Sequence, residues 1–140
     1  MGVTISNKNL AINQTFINLQ IWDFVGESRY KSLLHTYVRG AFGAIFMYDV
    51  SSSSSLLDLN NWISFFYEKI LDKRHIIPVI IVGGKLDLNE KRQISFDDAR
   101  KFSKSYDILD VIECSAKTGE NVEIIFYNLT IEIMKKRGFL

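Results

Sequence analysis

The chain has a single cysteine, Cys114, so no disulfide can form within it, and the apolar residues beside it (Val111, Ile112) mark the thiol as part of a buried strand. A reducing compartment suits such a chain, and the reading is cytoplasmic. Nowhere do uninterrupted apolar residues approach the ~18 needed to cross a bilayer, and the opening MGVTISNKNL lacks the basic-then-apolar order of a signal peptide. Neither a membrane span nor an export signal is read. The closing KKRGFL holds no cysteine, so no prenylation signal and no lipid anchor is visible. An excess of one charge is lacking too: 17 Lys+Arg against 16 Asp+Glu leave a net charge of +1, too weak a field to imply a nucleic-acid duplex or an anionic membrane. No nucleic-acid partner is expected, and any ligand has to be read from local chemistry.

What is present is core-forming material. With 140 residues, 47% of them hydrophobic and 24% charged, the chain suits one domain spanning 1–140. Ile17, Leu19 and Ile21 alternate with Asn18 and Gln20, the period of a half-buried strand over Phe16 to Trp22. Asn13-Gln14 reads as a turn before it, which makes Val3 to Leu10 a hairpin partner. After a loop from Asp23 to Ser28, a helical pattern through Tyr30, Leu33, Leu34 and Val38 stops at Gly40. Ala44 to Tyr48 is a second buried strand. The run Ser51 to Ser55 reads as a helix N-cap rather than a linker, because Leu56, Leu59, Trp62, Ile63, Phe66 and Ile70 follow at helical spacing, ending at Asp72-Lys73-Arg74.

Pro78 opens the most apolar strand, Val79 to Val82, whose branched side chains on both faces predict a central place covered by helices on either side. A loop from Gly83 to Gln93 leads to Ser95, the cap of a short helix with Ala99 and Phe102. Asp110 to Cys114 is the next strand, and Val122, Ile125, Phe126, Leu129 and Ile133 mark a final helix. Strands alternating with helices predict an α/β fold with a mostly parallel sheet, and a ligand site in the loops at the strands' carboxyl ends.

Three such loops carry unusual chemistry. Asp23-Phe24-Val25-Gly26-Glu27 joins a carboxylate able to hold a hydrated magnesium ion to a glycine that lets a backbone N–H approach a phosphate. Taken alone it is weak, since Asp and Gly are ordinary turn residues. In Gly84-Lys85-Leu86-Asp87, the carboxylate of Asp87 can accept from both guanine N1–H and the N2 amine, whereas adenine offers an acceptor at N1. The stem of Lys85 can cover the flat face of a base. In Ser115-Ala116-Lys117, small Ala116 lets its N–H reach the guanine carbonyl oxygen, and Lys117 can lie against the ring. Each loop has a bland reading, respectively a turn, a solvated Lys and Asp, and a capped helix start. Their conjunction, each at the end of a separately read strand and spaced by about 60 and 30 residues, is what carries weight.

With those motifs in place, the sequence resembles the Ras-like small GTPases, and within them the Rab-type and archaeal members, over nearly all 140 residues. WDFVGESRY is similar to their second switch, VGGKLDL to their base loop and ECSAKTGENV to their third guanine loop. The resemblance implies a three-layer α/β/α fold, binding of GTP/GDP with Mg²⁺, GTP hydrolysis in the complete form and a molecular switch. It implies that Asp23 holds magnesium through water, that Gly26 senses the γ-phosphate and that Lys85, Asp87, Ser115, Ala116 and Lys117 enclose guanine. Effectors or regulators are expected on residues 22–39.

Departures from the family pattern set further expectations. Gly84 stands where the family has Asn, a lost contact of ~0.5–1.5 kcal/mol. Glu27 occupies the place of the Gln that orients the attacking water, and its carboxylate is repelled by the γ-phosphate, so hydrolysis at this catalytic position is expected to be slow without a partner protein. No G-x-x-x-x-G-K-[ST] occurs in the 140 residues. The resemblance therefore implies a P-loop GTPase-like domain missing its first, central strand and its P-loop. Without that strand, the strands of Phe16 to Trp22 and Ala44 to Tyr48 either close up directly, borrow a strand, or belong to a fragment of a longer, N-terminally truncated product; the fragment is favoured. A second function stands beside the switch, a non-catalytic GTPase-like interaction scaffold working through the Trp22 to Tyr30 face. A flavodoxin-like domain leaves Asp87 and Ser115-Ala116-Lys117 unexplained.

Overall fold

The computed structural model describes residues 3–24, 31–70 and 76–140, without the side chains of 31–33 and 69–70. The described residues fall into two compact units, Met1–Ala41 and Phe42–Leu140.

The first unit is built on a hairpin. Strand β1 (Val3–Ile12) pairs antiparallel with β2 (Thr15–Phe24), from Ile12 opposite Thr15 to Val3 opposite Phe24. Asn13 and Gln14 both have positive φ (49° and 66°), the geometry of a two-residue turn whose twist matches its strands. Register sorts the side chains: Leu10 and Ile17 share one face, while Ile5, Trp22, Val3 and Phe24 share the other. Sequence reading ends this strand at Trp22. The ladder instead continues through Asp23 and Phe24, because Thr4 and Val3 are still available opposite them. Helix α1 (Lys31–Tyr37) follows, and its last residue puts a ring against this second face: Tyr37 lies 5.1 Å from Trp22 and 5.9 Å from Phe24, centroid to centroid.

The second unit is a three-stranded parallel sheet in the order β3 (Ala44–Asp49), β4 (Val79–Gly84), β5 (Asp110–Glu113). All six residues of β4 are buried, as expected of the central strand. One face packs Ile81 and Val111 with Leu59 and Ile63 of α2 (Ser53–Phe65) and Ala99 of α3 (Phe96–Ser103). On the opposite face Ile80, Val82 and Ile112 pack with Ile125 and Leu129 of α4 (Val122–Lys136). This is the expected α/β/α layering. Among the described residues the strands form two sheets, β1-β2 in the first unit and β3-β4-β5 in the second.

Local chemistry adjusts several boundaries. Ser95 caps α3 as expected, its hydroxyl accepting from Asp98 N–H at 3.0 Å. Ser52 occupies the N-cap of α2 without a capping bond of its own; Gln93 Oε1 takes the Ser53 N–H at 2.8 Å instead. At its other end α2 runs into a π-helical turn, Phe66–Ile70, which buries Phe66 edge-on against Phe46. The expected helix end at Asp72-Lys73-Arg74 lies outside the described residues. Gly83 and Gly84, read as loop, are the last two rungs of β4, opposite Tyr48 and Asp49. Gly83 is required there by packing, since an added Cβ would sit 2.6 Å from the Tyr48 ring. Beyond them Leu86–Lys91 winds as 3₁₀ turns kinked at Leu88 rather than as open loop.

Candidate functional site

Three carboxyl ends of the parallel sheet, those of β3, β4 and β5, lie side by side, and the candidate side chains of this unit follow them in the chain. Leaving β4, the chain turns at Lys85, whose φ of 63° and ψ of 38° place it in the left-handed region. That turn is fastened to the next strand: Leu86 N–H donates to the Cys114 carbonyl at 2.9 Å, and Leu88 N–H to the Lys85 carbonyl at 2.9 Å. Arg92, just past the 3₁₀ turns, grips Glu113 of β5 with two guanidinium nitrogens, Nη2 to Oε1 at 2.9 Å, and gives Nη1 to the Ile94 carbonyl as well. Its guanidinium is held firmly charged by that hydrogen-bonded carboxylate. A loop clamped at both ends is what a rigid base-reading site needs.

Within the clamp, Asp87 meets Ser115. The Ser115 hydroxyl is buried, donates to Asp87 Oδ1 at 2.9 Å and accepts from Thr118 N–H at 3.1 Å. Backbone bonds from Gly119 N–H to the Ser115 carbonyl (2.8 Å) and from Ser115 N–H to the Glu120 carbonyl (3.1 Å) fix the serine itself. An ionised carboxylate has about four acceptor sites, so the outer side of Asp87, which is exposed, keeps its capacity for two further donors. Ala116 and Lys117 follow in the same turn and are exposed. Sequence reading singled out Lys85, Asp87, Ser115, Ala116 and Lys117 from two separate motifs; the fold brings them to adjacent strand ends.

Asp49 was missed. It closes β3, its carboxylate accepts from Ser51 N–H (2.8 Å) and Ser51 Oγ (2.6 Å), and its Oδ2 lies 3.0 Å from Lys85 Nζ. Hydrogen bonding from Ser51, helped by the Lys85 ammonium, lowers its pKa below the usual carboxylate value despite some desolvation. The signal was there in Tyr48-Asp49-Val50, an acid at the end of an apolar strand. Nothing in the spacing, however, pairs it with Lys85.

The remaining residues are accounted for separately. Asp23 is exposed at the end of β2 in the first unit. Among the described residues no group of three or more His, Cys, Asp or Glu could hold a metal ion by itself. Magnesium is commonly held by one or two carboxylates together with substrate phosphates and water, so a lone carboxylate suits that donor set only when a nucleotide completes it. Gly26 and Glu27 lie outside the described residues. Cys114 is buried, and desolvation raises its thiol pKa, so it packs rather than reacts.

The sequence matches the Ras family over residues 1–135. The chain belongs to the Ras family. Rab proteins are among its relatives within that family. It is 35% identical over 136 residues to "Ras-related protein Rab-4A" of Danio rerio, covering 97% of this chain and 62% of that protein. It is 32% identical over 139 residues to "Ras-related protein Rab-19" of Xenopus laevis (99% and 64%), and 33% identical over 136 residues to "Ras-related protein Rab-8B" of Bos taurus (97% and 64%). The chain thus spans a little over three fifths of the length of these curated relatives. Small GTP-binding switches make up this family, and its members bind guanine nucleotide with magnesium and engage effectors. No helix among the described residues is long and apolar enough to cross a membrane.

Proposed function

We propose that this Ras-family chain supplies the guanine-reading half of a nucleotide-dependent switch. The observation that carries the reading is the Asp87 carboxylate, oriented by a buried serine hydroxyl at 2.9 Å in a loop clamped to β5. In this reading Asp87 accepts from guanine N1–H and the N2 amine, and the Ala116 N–H donates to the guanine carbonyl oxygen. Lys85 and Lys117 lay their stems against the base. Ser115 keeps the selecting carboxylate in place. Asp23 would hold Mg²⁺, and the ion would supply charge neutralisation at the phosphates. Gly26 meets the γ-phosphate through its N–H, and Glu27 stands at the hydrolytic position, so GTP turnover is slow without a partner protein. The switch segment from Asp23 to Tyr30 would then change with nucleotide state.

A titration of the 140-residue chain with fluorescent GTP, GDP and ATP tests the reading. Guanine nucleotides bind and ATP does not; Asp87→Asn exchanges the preference for xanthine, whose C2 carbonyl accepts from an amide where guanine N2 donates to a carboxylate. Equal binding of ATP and GTP, or no binding of either at high micromolar concentration, overturns it.

A second reading, the non-catalytic interaction scaffold, is supported by the rings of Trp22, Phe24 and Tyr37 on one face of the first unit. Ile5 (52% exposed), Trp22 (38%) and Tyr37 (39%) leave apolar and aromatic surface open there, the composition of a partner-binding patch. Both readings place effectors on residues 22–39, and only the first requires nucleotide.

A further inference from the structure

One carboxylate at the carboxyl end of the sheet has no part in reading guanine. Asp49 ends β3, and the register sets it opposite Gly84, the residue before Lys85. It is fixed before the lysine is considered. Ser51 gives Oδ1 two hydrogen bonds, from N–H and from Oγ. Ser55 Oγ accepts from the Asp49 N–H (2.9 Å) and lies 3.0 Å from the Asp49 carbonyl. The other carboxylate oxygen points at Lys85 Nζ, 3.0 Å away. Exposure is unequal across this pair: 23% for the Asp49 side chain against 61% for Lys85. A lysine that open would ordinarily sample many rotamers, and holding it still at the moment of binding would cost entropy.

The backbone of Lys85 gives an independent reason to expect a constraint. A left-handed conformation is unfavourable for a residue with a Cβ, and it persists where surrounding contacts over-determine it, often at functional sites. Here the Leu86 to Cys114 bond holds the residue from the β5 side and Asp49 holds it from the β3 side. Gly84 adds nothing of its own, having no side chain.

We propose that Asp49 is a positioning residue for nucleotide binding: anchored by Ser51, it holds the Lys85 ammonium so that the lysine stem is ordered before the base arrives. The proposal rests on the guanine reading above and adds to it the serine-rich turn after β3. The five-serine run then has work for two members, Ser51 orienting the carboxylate and Ser55 securing its backbone.

The experiment follows the Lys85 ammonium signal by proton–nitrogen NMR in the nucleotide-free 140-residue chain, and in parallel the affinity for a fluorescent GDP analogue. Asp49→Asn keeps the shape and the Ser51 bond but not the charge. It is expected to lose the slowly exchanging Lys85 signal and to weaken GDP binding about two- to fivefold, the scale of a partly exposed ion pair, with the difference shrinking in high salt. Asp49→Glu is expected to restore part of both, and Ser51→Ala to fall between. A Lys85 signal and GDP affinity unchanged in Asp49→Asn overturn the proposal. If the unmutated chain fails to bind GDP, the guanine reading fails and the purpose assigned to Asp49 fails with it, while loss of the signal in Asp49→Asn still establishes the anchoring.

Discussion

Individual side chains at the base-reading end differ sharply in how replaceable they are. Ser115 is buried and serves four bonds at once, two through its hydroxyl, one through its N–H and one through its carbonyl. Ser115→Ala removes the donor that orients Asp87 and strips the Thr118 N–H of its acceptor, at about 1–2 kcal/mol. Guanine affinity is expected to drop about five- to thirtyfold, measured by fluorescent GDP titration, with ATP still excluded because Asp87 remains. Gly84 is the opposite case. A Cβ there would meet Met47 Cε at 3.4 Å and the Tyr48 carbonyl at 3.5 Å, ordinary contact distances. Gly84→Asn is therefore expected to fold with an unchanged melting temperature and to bind GDP more tightly by ~0.5–1.5 kcal/mol, the contact the glycine forgoes. An unchanged affinity would show that the family's asparagine has no work to do in this loop.

Elements, rather than residues, explain the adjacent glycine. Gly83 looks equivalent to Gly84 in sequence, yet its neighbour across the ladder is Tyr48, whose ring crosses directly over it. Gly83→Ala forces a buried aromatic side chain to move, at a cost of about 1–3 kcal/mol read as a lower midpoint in urea denaturation. Such contrasts also show what the sequence can disclose. The hairpin was legible because alternation over Ile17 to Ile21 and a polar turn at Asn13-Gln14 are local signals, and β4 because its branched run is unbroken. The Ser95 cap, likewise, depends on residues three apart. Where sequence reading fell short, the deciding partner was distant: Gln93 rather than Ser52 supplies the acceptor at the start of α2, and Asp49 finds Lys85 only because β3 and β4 are neighbours. The π-helical turn at Phe66–Ile70 left no trace, since Phe66 and Ile70 also fit α-helical spacing. Of the proposed guanine site, residue types and order were readable, but the bond that unites Asp87 with Ser115 was not.

At the scale of the whole molecule, proton linkage offers a test that needs no ligand. Burial pushes the phenols of Tyr48 and Tyr67 up to about 12, chiefly by desolvation, with Glu113 and Asp107 respectively adding to the shift. In the unfolded chain tyrosine titrates near ~10, so between about pH 10 and pH 12 the folded state holds more protons than the unfolded one. Stability is then complete below about pH 10 and falls as pH rises through this window, by about 3 kcal/mol for buried Tyr48. The Tyr48 hydroxyl has no hydrogen-bond partner among the described residues, so Tyr48→Phe is expected to keep the neutral-pH melting temperature or raise it, and to move the alkaline transition upward. A transition that stays in place in Tyr48→Phe would assign the linkage to other groups.

Cys114 turns from a packing residue into an instrument when its position is considered. It is the chain's only thiol, it is buried, and its carbonyl holds the amide at the head of the base loop while the next residue holds Asp87. A thiol reagent reaches it only when this end of β5 opens, so the native chain already carries a single-site reporter of that motion. Labelling half-life becomes a clock for the loop after β4, one that the proposed guanine binding is expected to slow and that needs no engineered probe.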